Sequence, residues 1–200
     1  MAVDALAAIS ARRSTSRLSP PAPSDGELEQ ILRAATCAPD HGTLRPWRFV
    51  VLAGAAKEAF GPVLAAATEA EYRDRGIDPE PAKIEKDRHK MDRAPLMVVV
   101  ACAYQPSPKI PRSEQFAAVV AATQNACLAA TALGFGSMWR TGPNATNPHV
   151  KGALGLHGDV DIVGFLYLGT VGPEQAKGPN EGSLAGVVTH WQPETGPSAG

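Results

Sequence analysis

The side chains best suited to chemistry fall in three short words. These are Arg12-Arg13-Ser14, the run from Ala38 to Trp47 that holds Asp40, His41 and Arg45, and Trp139-Arg140-Thr141-Gly142. A planar guanidinium meets two phosphate oxygens with parallel hydrogen bonds, and a nearby hydroxyl completes such a cradle. Arg12-Arg13-Ser14 offers both, although two solvated arginines at a helix C-terminus are also what the helix dipole alone favours. Arg140, Thr141 and Gly142 offer charge, hydroxyl and backbone N–H groups together. His41 is either a ligand-facing donor or a loop histidine bonded to backbone. Trp47 suits core packing better than stacking.

Other chemistries fail on spacing. Gly134-Phe135-Gly136 follows a helix and precedes a strand, the reverse of the dinucleotide-binding order. Ser14, Ser16 and Ser19 lack the nucleophile elbow of a serine hydrolase. Cys37, Cys102 and Cys127 are odd in number and far apart, and no HExxH occurs, so neither a metal site nor a disulfide framework is expected. Nineteen basic against 20 acidic residues leave a net charge of −1, which argues against a nucleic-acid partner. Asp4, Arg12 and Arg13 interrupt any leader-like apolar run, and free thiols suit a reducing compartment. A cytoplasmic protein is the expectation.

The words need a scaffold to hold them. A short helix over residues 3–12 presents Leu6 and Ile9 on one side. Pro20, Pro21 and Pro23 then break the chain. Ser24 and Glu27 form a capping box that opens a helix through Leu28, Ile31, Leu32 and Ala35, ended by Pro39. Residues 49–52 predict a buried strand closed by Gly54, and an alanine-rich helix follows over 57–72. The segment 73–93 alternates in charge sign and predicts a solvated helix or lid. Residues 96–101 are unbroken apolar, the mark of a strand covered on both faces.

Residues 115–139 carry no formal charge. Gln115, Thr123, Gln124 and Asn125 interrupt that run and alanines fill it, which predicts a buried central helix rather than a membrane span. A strand over 137–140, a helix over 147–154 and a strand over 160–168 complete the pattern. In the last, Val163, Phe165 and Tyr167 alternate against Ile162, Gly164 and Leu166. Beyond residue 172, glycine and proline predict an arm or loop over 173–200. Helices alternating with about four strands define one domain over 1–200, of the α+β or mixed α/β class.

Taken in order, with Gly164-Phe165-Leu166-Tyr167-Leu168-Gly169 after them, these words resemble the nitroreductase family of FMN-dependent oxidoreductases. The likeness is to its short, minimal bacterial NAD(P)H nitroreductases and covers about residues 3–172. It implies a central sheet flanked by helices and an intertwined homodimer with two FMN sites in its interface. By this resemblance FMN falls to Arg12, Arg13, Ser14, Cys37, His41, Thr43, Trp139, Arg140 and Thr141, with His41 reaching the flavin from the partner subunit. The nicotinamide nucleotide falls to Ala129, Ala130, Thr131, Ala132, Leu133 and Gly134.

Many members carry Asn where Thr43 stands and Gln where Arg45 stands, so the second word departs from the commoner pattern. Many also use a basic residue near the C-terminus, for which Lys177 is the nearby candidate. The implied reaction is reduction of a nitroaromatic or quinone-like small molecule by NADH or NADPH, through hydride transfer by way of the flavin. No catalytic side chain is then required, because the cofactor carries the redox chemistry. A non-catalytic FMN-binding protein that stores or senses flavin is the alternative.

Overall fold

Asp4 caps the first helix, α1 (Ala5–Ala11), its carboxylate accepting from the Leu6 N–H. In this computed structural model, which describes residues 4–179 and 182–192, α1 buries Ala8 rather than the predicted apolar pair. Leu6 and Ile9 are 73% and 52% exposed, so the side expected to face the core faces away from it. The Ser24–Glu27 capping box forms as predicted and opens α2 (Asp25–Ala35).

Four strands make one antiparallel sheet: β1 (Trp47–Ala53), β2 (Leu96–Ala103), β3 (Gly136–Arg140) and β4 (Val160–Gly169), in the order β1-β2-β4-β3. The central pair, β2 and β4, is buried almost throughout, as unbroken apolar sequence requires. β1 corrects the expectation of a buried strand. It lies at an edge of the sheet, and Leu52 alone among its residues is buried. Gly54 does not close it into a loop but opens the next helix, α3 (Gly54–Asp74), with φ of +51°.

The uncharged run becomes α5 (Arg112–Ala132), which packs with α2 on one face of the sheet. Ala118, Ala122, Ala126 and Ala130 are buried along it, and their small size lets backbones approach. Ile31, Val98, Val100, Val119 and Leu166 share this core. The other face is covered by α3 and by the short helices α6 (Pro143–Thr146) and α7 (Pro148–Ala153). There Phe60, Leu64, Met97, Val99, Phe165 and Tyr167 meet. A bulge between Val100 and Ala101 of β2 skips one residue of β4. Val163 therefore joins Leu166 on the α5 face while Ile162 joins Phe165 on the other, so the alternation expected for this strand breaks there.

The charged segment 73–93 is not simply solvated. Its helix, α4 (Pro81–Arg88), packs on α3, and Asp87 has no exposed surface. Gly61 makes this packing possible, because a Cβ there would collide with the Arg88 carbonyl oxygen. After β4, in the segment for which an arm or loop is the expectation, the chain forms a short helical turn over Pro173–Gln175 and otherwise runs irregularly among the described residues. Residues 180–181 and 193–200 of that expectation lie outside the described residues. Among those described, no helix is long and apolar enough to cross a membrane.

Candidate functional site

α1 ends because Arg12 turns to extended backbone, and the chain continues alongside the outer edge of β3. Ser14 bridges Ser137 in parallel, and the Thr15 N–H donates to the Ser137 carbonyl at 3.0 Å. Arg13 then lines a cleft of about 220 Å³ with Thr15, Thr131, Gly134 and Lys177. Two cations, two hydroxyls and a glycine are a donor set suited to a phosphate. Arg13 also donates from Nε to the Gly178 carbonyl at 2.7 Å, which pins the segment bearing Lys177. Arg12 lies on the α5 side of the sheet. Its charge opposes the upward push that burial gives the Cys127 thiol.

The stretch assigned to a nicotinamide nucleotide closes α5 beside this cleft. Ala130 is fully buried in the core, and Ala129 and Leu133 pack against that core. Ala132 and Gly134 are exposed, and the Thr131 hydroxyl donates to the Cys127 carbonyl at 3.0 Å. Only part of the stretch, then, presents surface to a ligand.

Trp139 and Arg140 point to opposite faces of β3, as neighbours in a strand must. The Trp139 indole packs over Gly164, where no side chain intervenes, and on into the α5 core. Arg140 enters a second cleft of about 220 Å³, bounded by α4, α6 and the sheet, which Thr141 also lines. Its buried Nε has no partner among the described residues. Such a buried donor costs free energy unless a ligand or water satisfies it.

Lys83, Lys86, Lys90 and Arg93 line the same cleft, and the sequence reading did not single them out. Their signal was present in the spacing, since positions 83, 86 and 90 recur three and four apart, although α4 ends at Arg88 and Lys90 stands in the turn after it. Lys83 and Lys90 both pair with Asp87, and the Thr68 hydroxyl donates to that carboxylate at 2.7 Å. Burial pulls the Lys90 ammonium below the usual lysine range, against the hold of Asp87. Tyr167, on the floor, is pushed up by burial.

The second word lies elsewhere. Gly42, Thr43 and Arg45 adopt φ of +72°, +54° and +49°. For a β-branched threonine that is strained backbone, and strain of this kind gathers at functional loops. Asp40 secures the loop by accepting from the Arg45 N–H at 2.7 Å. His41 is exposed, with Nδ1 2.6 Å from Glu114 at the start of α5. Thr131 and Gly134 lie at the other end of that helix, about 30 Å away for its 21 residues. Cys37 is exposed just after α2, its thiol donating to the Arg33 carbonyl. Trp47 packs against the α5 core, as expected. Within one chain the predicted residues thus form three groups: Arg13 with Ser14, Arg140 with Thr141, and Cys37, His41 and Thr43 apart from both.

An α/β/α sandwich with cationic clefts at both ends of its outer strand is a ligand-binding architecture, and its relatives name the class. Residues 9–170 match the Nitroreductase family, and the chain belongs to it. It is 41% identical over 169 residues to a protein of Escherichia coli (strain K12) named "Putative NAD(P)H nitroreductase YdjA", covering 84% of this chain and 88% of that one. Its fold resembles the crystal structure of a nitroreductase-like family protein from Bacillus cereus, with a TM-score of 0.78 and 27% identity over 96% of this chain and 98% of the other. It also resembles a nitroreductase with bound FMN from Bacteroides fragilis NCTC 9343, with a TM-score of 0.68 and 24% identity, covering 95% of this chain and 100% of that one.

Proposed function

We propose that the protein is an FMN-dependent NAD(P)H oxidoreductase that reduces nitroaromatic or quinone-like acceptors and works as a homodimer. The observation that carries this reading is the placing of two cationic clefts at the two ends of β3, the outer strand of the sheet, along which residues 12–15 run. Gly136 lines one cleft and Arg140 the other, a span of about 13 Å for a five-residue strand. A phosphate joined through a sugar-alcohol chain to a flat three-ring system suits such a span. Arg13, Ser14 and Lys177, with Arg12 close by, would hold the phosphate end. Arg140, with its unsatisfied Nε, and Thr141 would meet the ring end.

When bound, FMN supplies the two-electron relay between a reduced nicotinamide and an acceptor. The chain's own residues bind and orient. Lys90 and Arg140 would place fixed positive charge beside a bound ring, and cations held in a partly dry cleft need no reorganisation to favour negative charge there. For a quinone, one NAD(P)H and one proton from solvent give the hydroquinone and NAD(P)+. His41 stands about 30 Å along α5 from the cleft of Arg13 and Lys177 in its own chain, and in this reading it serves the site of a second copy. That is why the assembly is a dimer in this reading.

A visible absorption spectrum of the purified protein tests the cofactor, and steady-state oxidation of NADH or NADPH with a quinone tests turnover. The protein should be yellow and turn over. Replacing Arg12 and Arg140 together by Ala should release the flavin, and unchanged flavin content would refute their role. A yellow protein without turnover would favour a store or sensor of flavin.

A further inference from the structure

The loop that carries His41 is held from two sides. Ile110 fills the space at Gly42, where a Cβ would collide with the isoleucine side chain. Ile110 belongs to the loop between β2 and α5, which Gln115 clips in place. The buried Gln115 amide accepts from the Gln105 N–H at 2.8 Å and donates to the Gln105 carbonyl at 3.0 Å. Asp40 is engaged with the Arg45 N–H. Glu114, in the first turn of α5, is the carboxylate that meets the imidazole, 2.6 Å from Nδ1. One turn of helix thus steadies the loop and carries the group that orients its ring.

That pair sets what the ring can offer. The His41 and Glu114 side chains are 66% and 49% exposed, and an exposed pair adds little stability. Its consequence lies in the tautomer instead. An ionised carboxylate only accepts, so a neutral imidazole beside it keeps its proton on Nδ1. Nε2, across the ring, is then a bare lone pair with no partner among the described residues. A phosphate dianion has no proton to give such an acceptor. A sugar-alcohol hydroxyl or a ring N–H has one.

We propose that Glu114 is a positioning residue that fixes the Nδ1–H tautomer of His41, so that Nε2 accepts from an O–H or N–H of the FMN bound by a second copy. The flavin contact rests on the oxidoreductase and dimer reading above, but the tautomer does not.

Heteronuclear NMR of the ring nitrogens at about pH 9, well above the ordinary imidazole value, tests the tautomer. The native protein should carry the proton on Nδ1, and so should Glu114→Gln, which keeps an acceptor oxygen. Glu114→Ala should move the proton toward Nε2, where a free imidazole prefers it. Removing the flavin should shift the Nε2 resonance, and added inorganic phosphate should not restore it. Glu114→Ala should bind FMN about tenfold more weakly, the order of one hydrogen bond, while Glu114→Gln binds as the native protein does. Thermal unfolding should be the same in all three, which separates orientation from stability.

A native ring protonated on Nε2 alone would overturn the proposal. So would FMN affinity unchanged in Glu114→Ala, a Glu114→Gln variant as weak as Glu114→Ala, or a resonance that phosphate restores. A native protein that binds no flavin yet keeps the Nδ1–H ring would refute the oxidoreductase reading and leave the hold of Glu114 on His41 standing.

Discussion

A carboxylate with no exposed surface stays ionised only where donors replace the water it has lost. Asp87 has three such donors in Lys83, Lys90 and Thr68. Burial alone would raise its pKa, but the three donors together outweigh burial and hold the carboxyl below its ordinary 3.8. A folded-state pKa below the unfolded one contributes stability that is present above the unfolded value and lost as pH falls through the folded one. Asp87→Ala should therefore cost about 3 kcal/mol in urea unfolding at neutral pH, near the low end for a broken buried pair because the two lysines keep contact with water. The difference from the native protein should begin to shrink as pH falls below the ordinary carboxyl value of 3.8 and vanish only below the lowered value of the folded state. A variant as stable as the native protein at neutral pH would show that Asp87 does not tie α4 to α3.

At the scale of elements, the site depends on close approach between backbones. Gly61 sets α3 against the carbonyl of Arg88, and α4 in turn carries Lys83 and Lys86 to the cleft. Gly61→Val should push the helices apart and cost about 1–3 kcal/mol, the usual range for overpacking. The same variant should lower the flavin content of the purified protein, since α4 borders the cleft of Arg140; thermal unfolding and visible absorption on one sample would read both effects. Gly164 plays the matching part on the sheet, where the Trp139 indole lies over it. By occupying the α5 face, Trp139 leaves Arg140 on the cleft face. The bulge in β4 belongs to this scale too: a period of two read along residues 160–168 holds only until one residue is skipped.

The whole molecule presents apolar surface that one chain does not cover. Leu6 and Ile9 on α1 stand exposed, as do Leu184, Val187 and Trp191 near the end of the described chain. α1 also leads directly into Arg12-Arg13-Ser14, so a partner packed on it would lie next to the phosphate donors. Sedimentation should show a dimer. Leu6→Glu with Ile9→Glu should give a monomer that loses its flavin, because His41 would then no longer reach a second copy's site. A double variant that stays dimeric would place the interface elsewhere.

Much of the scaffold was legible in the order of residues because short-range forces set it. The capping box of Ser24 and Glu27, the apolar run that became β2 and the uncharged run that became α5 follow from local hydrogen bonding and hydrophobic period alone. The family followed from three words whose order along the chain survives folding. What lay beyond reach was whatever depends on position in the sheet or on distant contacts. An apolar run over 49–52 does not reveal that its strand is an edge. The alternating charges of 73–93 do not reveal that one carboxylate is sealed beneath two lysines, because Thr68 and Gly61 lie 19 and 26 residues before it. Sequence named the guanidinium groups, but only the packed sheet could assign Arg13 and Arg140 to separate clefts, since the face on which a side chain emerges is fixed by its neighbours in space.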